Sequence, residues 1–215
     1  MFDDLVERYD LLNSVLSFGM DHWWRRRTVA AIGPAPGRIL DLGCGSGALT
    51  GRLPAGSRAV GVDTSGRMLA EARRRLGPGP ALVQGSAFRL PFADGSFDAA
   101  VSGFVLRNLH DLAAAFGELH RVLRGGGRIA LVDITEPANR AFRRMFDAYF
   151  GTVAPAVGSL VGRRDAYRYL VHSLAQIPPG PEMAALLTRA GFAHVRPRPL
   201  TGGIVTLLTG TKPGD

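Results

Sequence analysis

The chain has one cysteine, Cys44, among its 215 residues, so no internal disulfide can form and a reducing compartment suits it. It has one lysine, Lys212. Nearly all of its 26 basic residues are therefore arginine, and against 18 acidic ones they leave a net charge of +8. No apolar run approaches the ~18 residues of a membrane span. Asp3, Asp4 and Glu7 stand where a secretory signal would carry positive charge. There are no repeats, no low-complexity tracts and no linker long enough to separate a pair of domains. These absences lead us to expect one domain over residues 1–215 and a cytoplasmic protein, with a peripheral place at the inner face of the membrane as a variant of that reading. Arginine accompanies abundant Ala, Gly and Pro, so the charge reads as compositional. The runs Arg25-Arg26-Arg27 and Arg73-Arg74-Arg75 read as solvated faces, with attraction to an anionic membrane surface as the alternative.

What is present is an ordinary globular mixture, 46% hydrophobic and 20% charged. From Arg38 onward, short β-branched or apolar runs alternate with helical patterns. That alternation predicts an α/β fold with a mostly parallel sheet and crossover helices on both faces. The expected strands are Arg38–Leu42, Arg58–Asp63, Ala81–Gly85, Phe97–Phe104, Arg128–Ile134, His194–Leu200 and Ile204–Thr211, seven in all. Helices are expected near Ser65–Leu76, Asp111–Leu123 and Pro181–Ala190. Asp111 reads as an N-cap, and Gly125-Gly126-Gly127 as a stop. Leu5–Ile32 and Asn139–Ile177 also read as helical. Residues 1–32 and 138–178 are thus a front lid and a late helical insertion on a Rossmann-like core.

The chemistry begins at Asp41-Leu42-Gly43-Cys44-Gly45-Ser46-Gly47, the turn after the first strand. Alternate glycines let backbone approach a ligand closely, and the following segment offers its amides. The same letters satisfy a dinucleotide pattern, G-x-G-x-x-A, through Gly43, Gly45 and Ala48. Asp41 separates the two readings. A carboxylate at the strand end would repel a pyrophosphate, but it suits the ammonium and sulfonium of S-adenosyl-L-methionine. Asp63 ends the second strand, where a carboxylate can accept from a ribose diol. Ser86 and Ala87 follow the third strand, where an adenine edge would pass, and Met68 could offer the ring an apolar face. Gly103, Arg107 and Asn108 follow the fourth strand, in the crevice where doubly wound sheets place their chemistry.

These segments together resemble the ubiquinone/menaquinone biosynthesis C-methyltransferases, the demethylmenaquinone branch in particular. The resemblance runs from about Tyr9 to Pro213. Its most specific parts are the stretch Tyr9–Met20, the triplet Leu106-Arg107-Asn108, the segment Tyr167-Arg168-Tyr169-Leu170 with Ser173, and Leu200–Val205. It implies a class I methyltransferase fold, S-adenosylmethionine as cofactor with S-adenosylhomocysteine as product, no metal, and cofactor contacts at Ser46, Asp63, Ser86 and Ala87. Several positions depart from the family's pattern. Ser46 stands for threonine, Ser86 for Asn or Asp, Gly103 for serine and Val105 for a small residue, and Val132-Asp133-Ile134-Thr135-Glu136-Pro137 is an altered form of its acidic phrase.

The implied acceptor is a reduced prenylated quinone, methylated on a ring carbon. Such a carbon becomes nucleophilic once a ring hydroxyl loses its proton. A free phenol titrates near ~10, so the site must stabilise an oxyanion or supply a base. Arg107 is the expected residue for that task, with Asn108 beside it. Tyr167, His172, Tyr9 and His110 are the alternative bases. Arg107 is expected to serve turnover without contributing to folding. A lipophilic acceptor implies transient contact with a membrane surface, and a homodimer is compatible with the reading. Nucleic acid is not expected as a partner, because no Asn/Asp-Pro-Pro-aromatic motif follows the fourth strand. Two rival readings are a methyltransferase for another small aromatic or polyketide acceptor and a non-catalytic cofactor-binding assembly partner.

Overall fold

In a computed structural model of the chain, the residues described are 14, 17–34, 37–153 and 177–214. Seven strands form one sheet in the order β3-β2-β1-β4-β5-β7-β6. They are β1 (Arg38–Leu42), β2 (Arg58–Asp63), β3 (Ala81–Gln84), β4 (Phe97–Gly103), β5 (Leu123–Ile134), β6 (Ala193–Leu200) and β7 (Val205–Thr211). The first five are parallel to one another, and β7 runs antiparallel between β5 and β6. The strand order reverses between β1 and β4, which opens a crevice at their carboxyl ends.

Alternate residues of the central strands feed two cores on opposite faces of the sheet. Leu40, Leu42 and Ala100 join the cluster under α3 (Leu112–Val122) and α5 (Gly180–Arg189). Ile39, Ala99 and Val101 join the cluster with Trp24 and Ile32, at α1 (Asp21–Ala31). The strands read as continuous apolar runs because both of their faces are covered. The remaining helices are α2 (Gly66–Leu76) and α4 (Arg140–Ala148), the latter running on through a wider turn at Tyr149–Val153. Asp111 caps α3 through the Ala114 N–H, as the sequence predicts, and Ser65 caps α2 through the Met68 N–H.

Several boundaries move for identifiable reasons. The strand β4 stops at Gly103 because Phe104 takes φ +64°. The strand β5 begins at Leu123, so the glycine triplet lies within a strand rather than ending a helix. The Gly126 N–H donates to the Lys212 carbonyl, and the Lys212 N–H donates to Gly127. The expected helix Leu5–Ile32 is interrupted by a turn at residues 17–20, where Phe18 and Gly19 have φ of +50° and +74°. Of the insertion expected at 138–178, residues 140–153 are helical, and 154–176 lie outside the described residues. No helix among the described residues is long and apolar enough to cross a membrane.

Candidate functional site

Two cavities lie beyond the carboxyl ends of the parallel strands, and they share Phe104 as a wall. The first, about 250 Å³, follows the glycine turn. Gly43, Gly45 and Gly47 have φ of +65°, +53° and +81°, a region that disfavours any side chain. At Gly43 space is also absent, since a β-carbon would sit 2.4 Å from Val105 Cγ2.

Asp41 lies at the floor of this cavity, wholly buried. Its Oδ2 accepts from the Thr50 hydroxyl at 2.6 Å, while Oδ1 has no hydrogen-bond partner among the described residues. Burial pushes its carboxyl up to about 7, although the Thr50 hydrogen bond and the Arg25 charge oppose the shift. A buried acceptor without a donor is costly. An ammonium in the cavity would donate to it and a sulfonium would offset its charge, so the residues present fit a cationic ligand. Asp63 holds the loop from the other side. Its Oδ2 accepts from the Gly45 N–H and its Oδ1 from the Ser65 N–H, each at 2.9 Å. Each carboxylate oxygen keeps a second lone pair, which leaves capacity for a diol.

Ser46, Met68, Ser86, Ala87 and Gly103 line the same cavity, as the sequence reading expects. The Ser86 hydroxyl accepts from the Phe88 N–H at 3.2 Å, so some of its hydrogen-bonding capacity serves the local turn. Asn108 also belongs here rather than with Arg107. Of the positions that depart from the family's pattern, Ser46, Ser86, Gly103 and Val105 line this cavity, while Ile134 of the altered phrase lines the second. The thiol of Cys44 is pushed upward by burial and by Asp41 and Asp63, which leaves it an inert packing residue.

The second cavity, about 290 Å³, is walled mainly by Met20, Trp24, Phe104, Ile134, Phe146 and Ile204. Its charged groups are Asp21 and Arg107. The Arg107 Nη1 donates to Asp133 Oδ1 at 2.5 Å, and its backbone N–H donates to Oδ2 at 3.1 Å. The two side chains are 3% and 0% exposed. This corrects the expectation that Arg107 stands apart from folding. It neutralises a fully buried carboxylate, and losing it would leave that charge uncompensated. His110 lies against the Phe88 ring at 4.2 Å and lines neither cavity, which removes it from the alternative bases. Tyr9, Tyr167 and His172 lie outside the described residues.

Arg25 is the residue that sequence reasoning missed. Assigned with its neighbours to a solvated face, it is instead 6% exposed, ion-paired with Asp21, and in the wall of the first cavity. Arg26 and Arg27 are exposed as expected. The signal was available: Asp21, Trp24, Arg25 and Thr28 fall at i, i+3, i+4 and i+7, one helix face, and all four are buried. The guanidiniums of Arg25 and Arg107 approach the Phe104 ring to 5.1 and 5.9 Å. Trp24 packs on the same ring at 5.9 Å. Phe104 is thus held at an unfavourable φ by aromatic and cationic neighbours from both cavities.

Residues 1–212 match the model of the ubiE/COQ5 methyltransferase family. The chain is 44% identical to the demethylmenaquinone methyltransferase of Mycobacterium sp. (strain KMS), over 99% of this chain and 93% of the relative. It is 42% identical to the demethylmenaquinone methyltransferase of Thermus thermophilus, over 99% of this chain and all of the relative (100%). Among solved structures, a SAM-dependent methyltransferase of Thermotoga maritima superimposes with a TM-score of 0.69 at 21% identity. That likeness covers 98% of this chain and 97% of the other, and at such identity it speaks for the fold alone.

Proposed function

Because the chain belongs to the ubiE/COQ5 methyltransferase family, we propose that it methylates a ring carbon of a reduced prenylated quinone of the demethylmenaquinol type. The observation that carries the reading is the pair of cavities meeting at Phe104. Among the described residues, one has a buried carboxylate oxygen with no hydrogen-bond partner; the other is apolar, with Asp21 and Arg107 as its charged groups. S-adenosylmethionine, when bound, supplies a methyl group carried on a sulfonium.

The chain's own residues divide the work. Asp41 offers its free Oδ1 to cationic groups, Asp63 offers lone pairs to a ribose diol, and Arg25 faces the carboxylate of the methionyl end. Ser46, Met68, Ser86, Ala87, Asn108 and the backbone at Gly43, Gly45 and Gly103 complete the wall. In the apolar cavity, Phe104, Trp24 and Phe146 exclude water, which strengthens every charge interaction there. Arg107, held by Asp133, presents a guanidinium to a ring oxyanion and stabilises it as the hydroxyl loses its proton. Tyr167 and His172 are retained as alternative acceptors of that proton. The acceptor is a small lipophilic molecule rather than nucleic acid, met at a membrane surface by a cytoplasmic protein.

The test is transfer of a labelled methyl group to a naphthoquinone lacking its ring methyl. Transfer is expected to the reduced form and not to the oxidised one, which has no hydroxyl proton to lose. Equal transfer to both, or to neither, would overturn the proposal.

A further inference from the structure

The apolar cavity opens to solvent through an unusual rim. Phe18 is 77% exposed and Met145 is 61% exposed, and both also line the cavity. Phe18 has φ +50°, unfavourable for an aromatic residue, yet burial does not offset that strain because its ring stands in water. Its ring neighbour is Tyr149, at 5.8 Å, which also lines the cavity. The helix α4 continues the rim. Phe142, Met145, Phe146 and Tyr149 fall at i, i+3, i+4 and i+7, one face, of which Phe146 is buried in the cavity and Phe142 is exposed. Arg140, Arg143 and Arg144 occupy the other side of the helix. Arg143 is paired with Glu136, and Arg140 and Arg144 are exposed.

We infer that this mouth is a membrane-docking face, on which Phe18, Met145 and Phe142 enter the bilayer interface while Arg140 and Arg144 meet anionic headgroups. Apolar side chains around a cavity mouth with flanking arginines are the chemistry of an interfacial helix. Continuity with the cavity gives the face a purpose. A tailed ligand can pass from the bilayer to the site without exposing its tail to water. The inference rests on the lipophilic acceptor proposed above.

The experiment is co-sedimentation of the full chain with vesicles of phosphatidylcholine, with or without phosphatidylglycerol. Light scattering without vesicles accompanies it. The wild type should bind the anionic vesicles, and less as salt rises. The double variant Phe18→Ser/Met145→Ser should lose about tenfold or more in partitioning, since two apolar side chains no longer insert. Arg140→Ser/Arg144→Ser should lose at least about fivefold, and only on anionic vesicles. Both variants should bind S-adenosylhomocysteine as the wild type does, because none of the four residues lines the cofactor cavity; that readout shows they are folded. A wild type that ignores both vesicle types overturns membrane docking altogether. Variants that bind as well as wild type overturn this face. So does a wild-type dimer that Phe18→Ser/Met145→Ser dissociates, since the rim would then serve a second copy of the chain. Failure of the acceptor reading would appear separately, in methyl transfer to a tail-less quinol in solution.

Discussion

Replacing Arg107 by alanine should destabilise the fold and abolish turnover, and the two effects can be separated. Asp133 is fully buried, and three N–H donors converge on it: Arg107 Nη1, the Arg107 backbone and the Ile134 backbone at 2.8 Å. Alanine removes the guanidinium and leaves both backbone donors. The cost should therefore fall at the low end of the range for a broken buried pair, about 3 kcal/mol. With an unfolding entropy of about 0.45 kcal/mol/K for a chain of 215 residues, that loss lowers Tm by about 7 °C. In the double variant Arg107→Met/Asp133→Asn no buried charge remains, and the asparagine oxygen still accepts from one of the two backbone N–H groups. More than half of the lost stability should return. Turnover should not return, because the oxyanion donor is still missing; kcat should stay down by roughly a hundredfold or more. Thermal unfolding and steady-state kinetics on wild type, single and double variants decide the matter. A single variant with unchanged Tm would refute the ion-pair argument. A double variant with wild-type kcat would refute the catalytic one.

The remaining expectations concern the cofactor cavity. Asp41, with its carboxyl raised to about 7, keeps its proton in the folded state where the unfolded chain has lost it, so this group withdraws stability as pH rises from about 4 to about 7. A cationic ligand needs the ionised form. Affinity for S-adenosylmethionine should therefore fall about tenfold per pH unit below neutrality, and calorimetry on Asp41→Asn should show weaker binding without that slope. Arg25→Gln should weaken S-adenosylmethionine by about tenfold or more, the scale of a hydrogen bond to a charged group, and leave its decarboxylated analogue unaffected; equal loss for both would remove the carboxylate contact. Gly43→Ala should both lower Tm and weaken cofactor binding, because φ is positive and Val105 occupies the space. Gly103→Ser should be tolerated, since a β-carbon there meets Leu49 Cδ2 at an ordinary 3.4 Å.

The parallel core was readable because its strands are buried on both faces and its turns are marked. The limits of β1 and β2 match expectation residue for residue, and the expected capping residue, Asp111, caps its helix. Misreadings gathered where local propensity met long-range pairing. The triplet Gly125-Gly126-Gly127 looks like a helix stop, yet pairing with the last strand draws it into β5. Gly19 was a visible helix breaker, but aromatic and apolar neighbours on either side masked it.

The cavity along the glycine turn was equally visible, because its residues follow strand ends in order along the chain. The apolar cavity was not. Its walls come from α1, the turn after β4, α4 and the turn between β6 and β7, segments far apart in sequence and brought together only by the sheet order. Arg107 shows the same limit from the side of charge. It was expected to serve turnover alone, and its partner Asp133 lies 26 residues away with nothing local to mark the pair.

The most direct test of carbon methylation is the position of the new bond. Wild-type protein should be incubated with isotope-labelled S-adenosylmethionine and a chemically reduced naphthoquinol lacking its ring methyl, and the product analysed by NMR and mass spectrometry. The expected result is one labelled methyl on the ring carbon beside a hydroxyl, formed at a rate that the folded Arg107→Met/Asp133→Asn variant does not reach. Label on oxygen, or no transfer by a protein that binds the cofactor normally, would contradict the account.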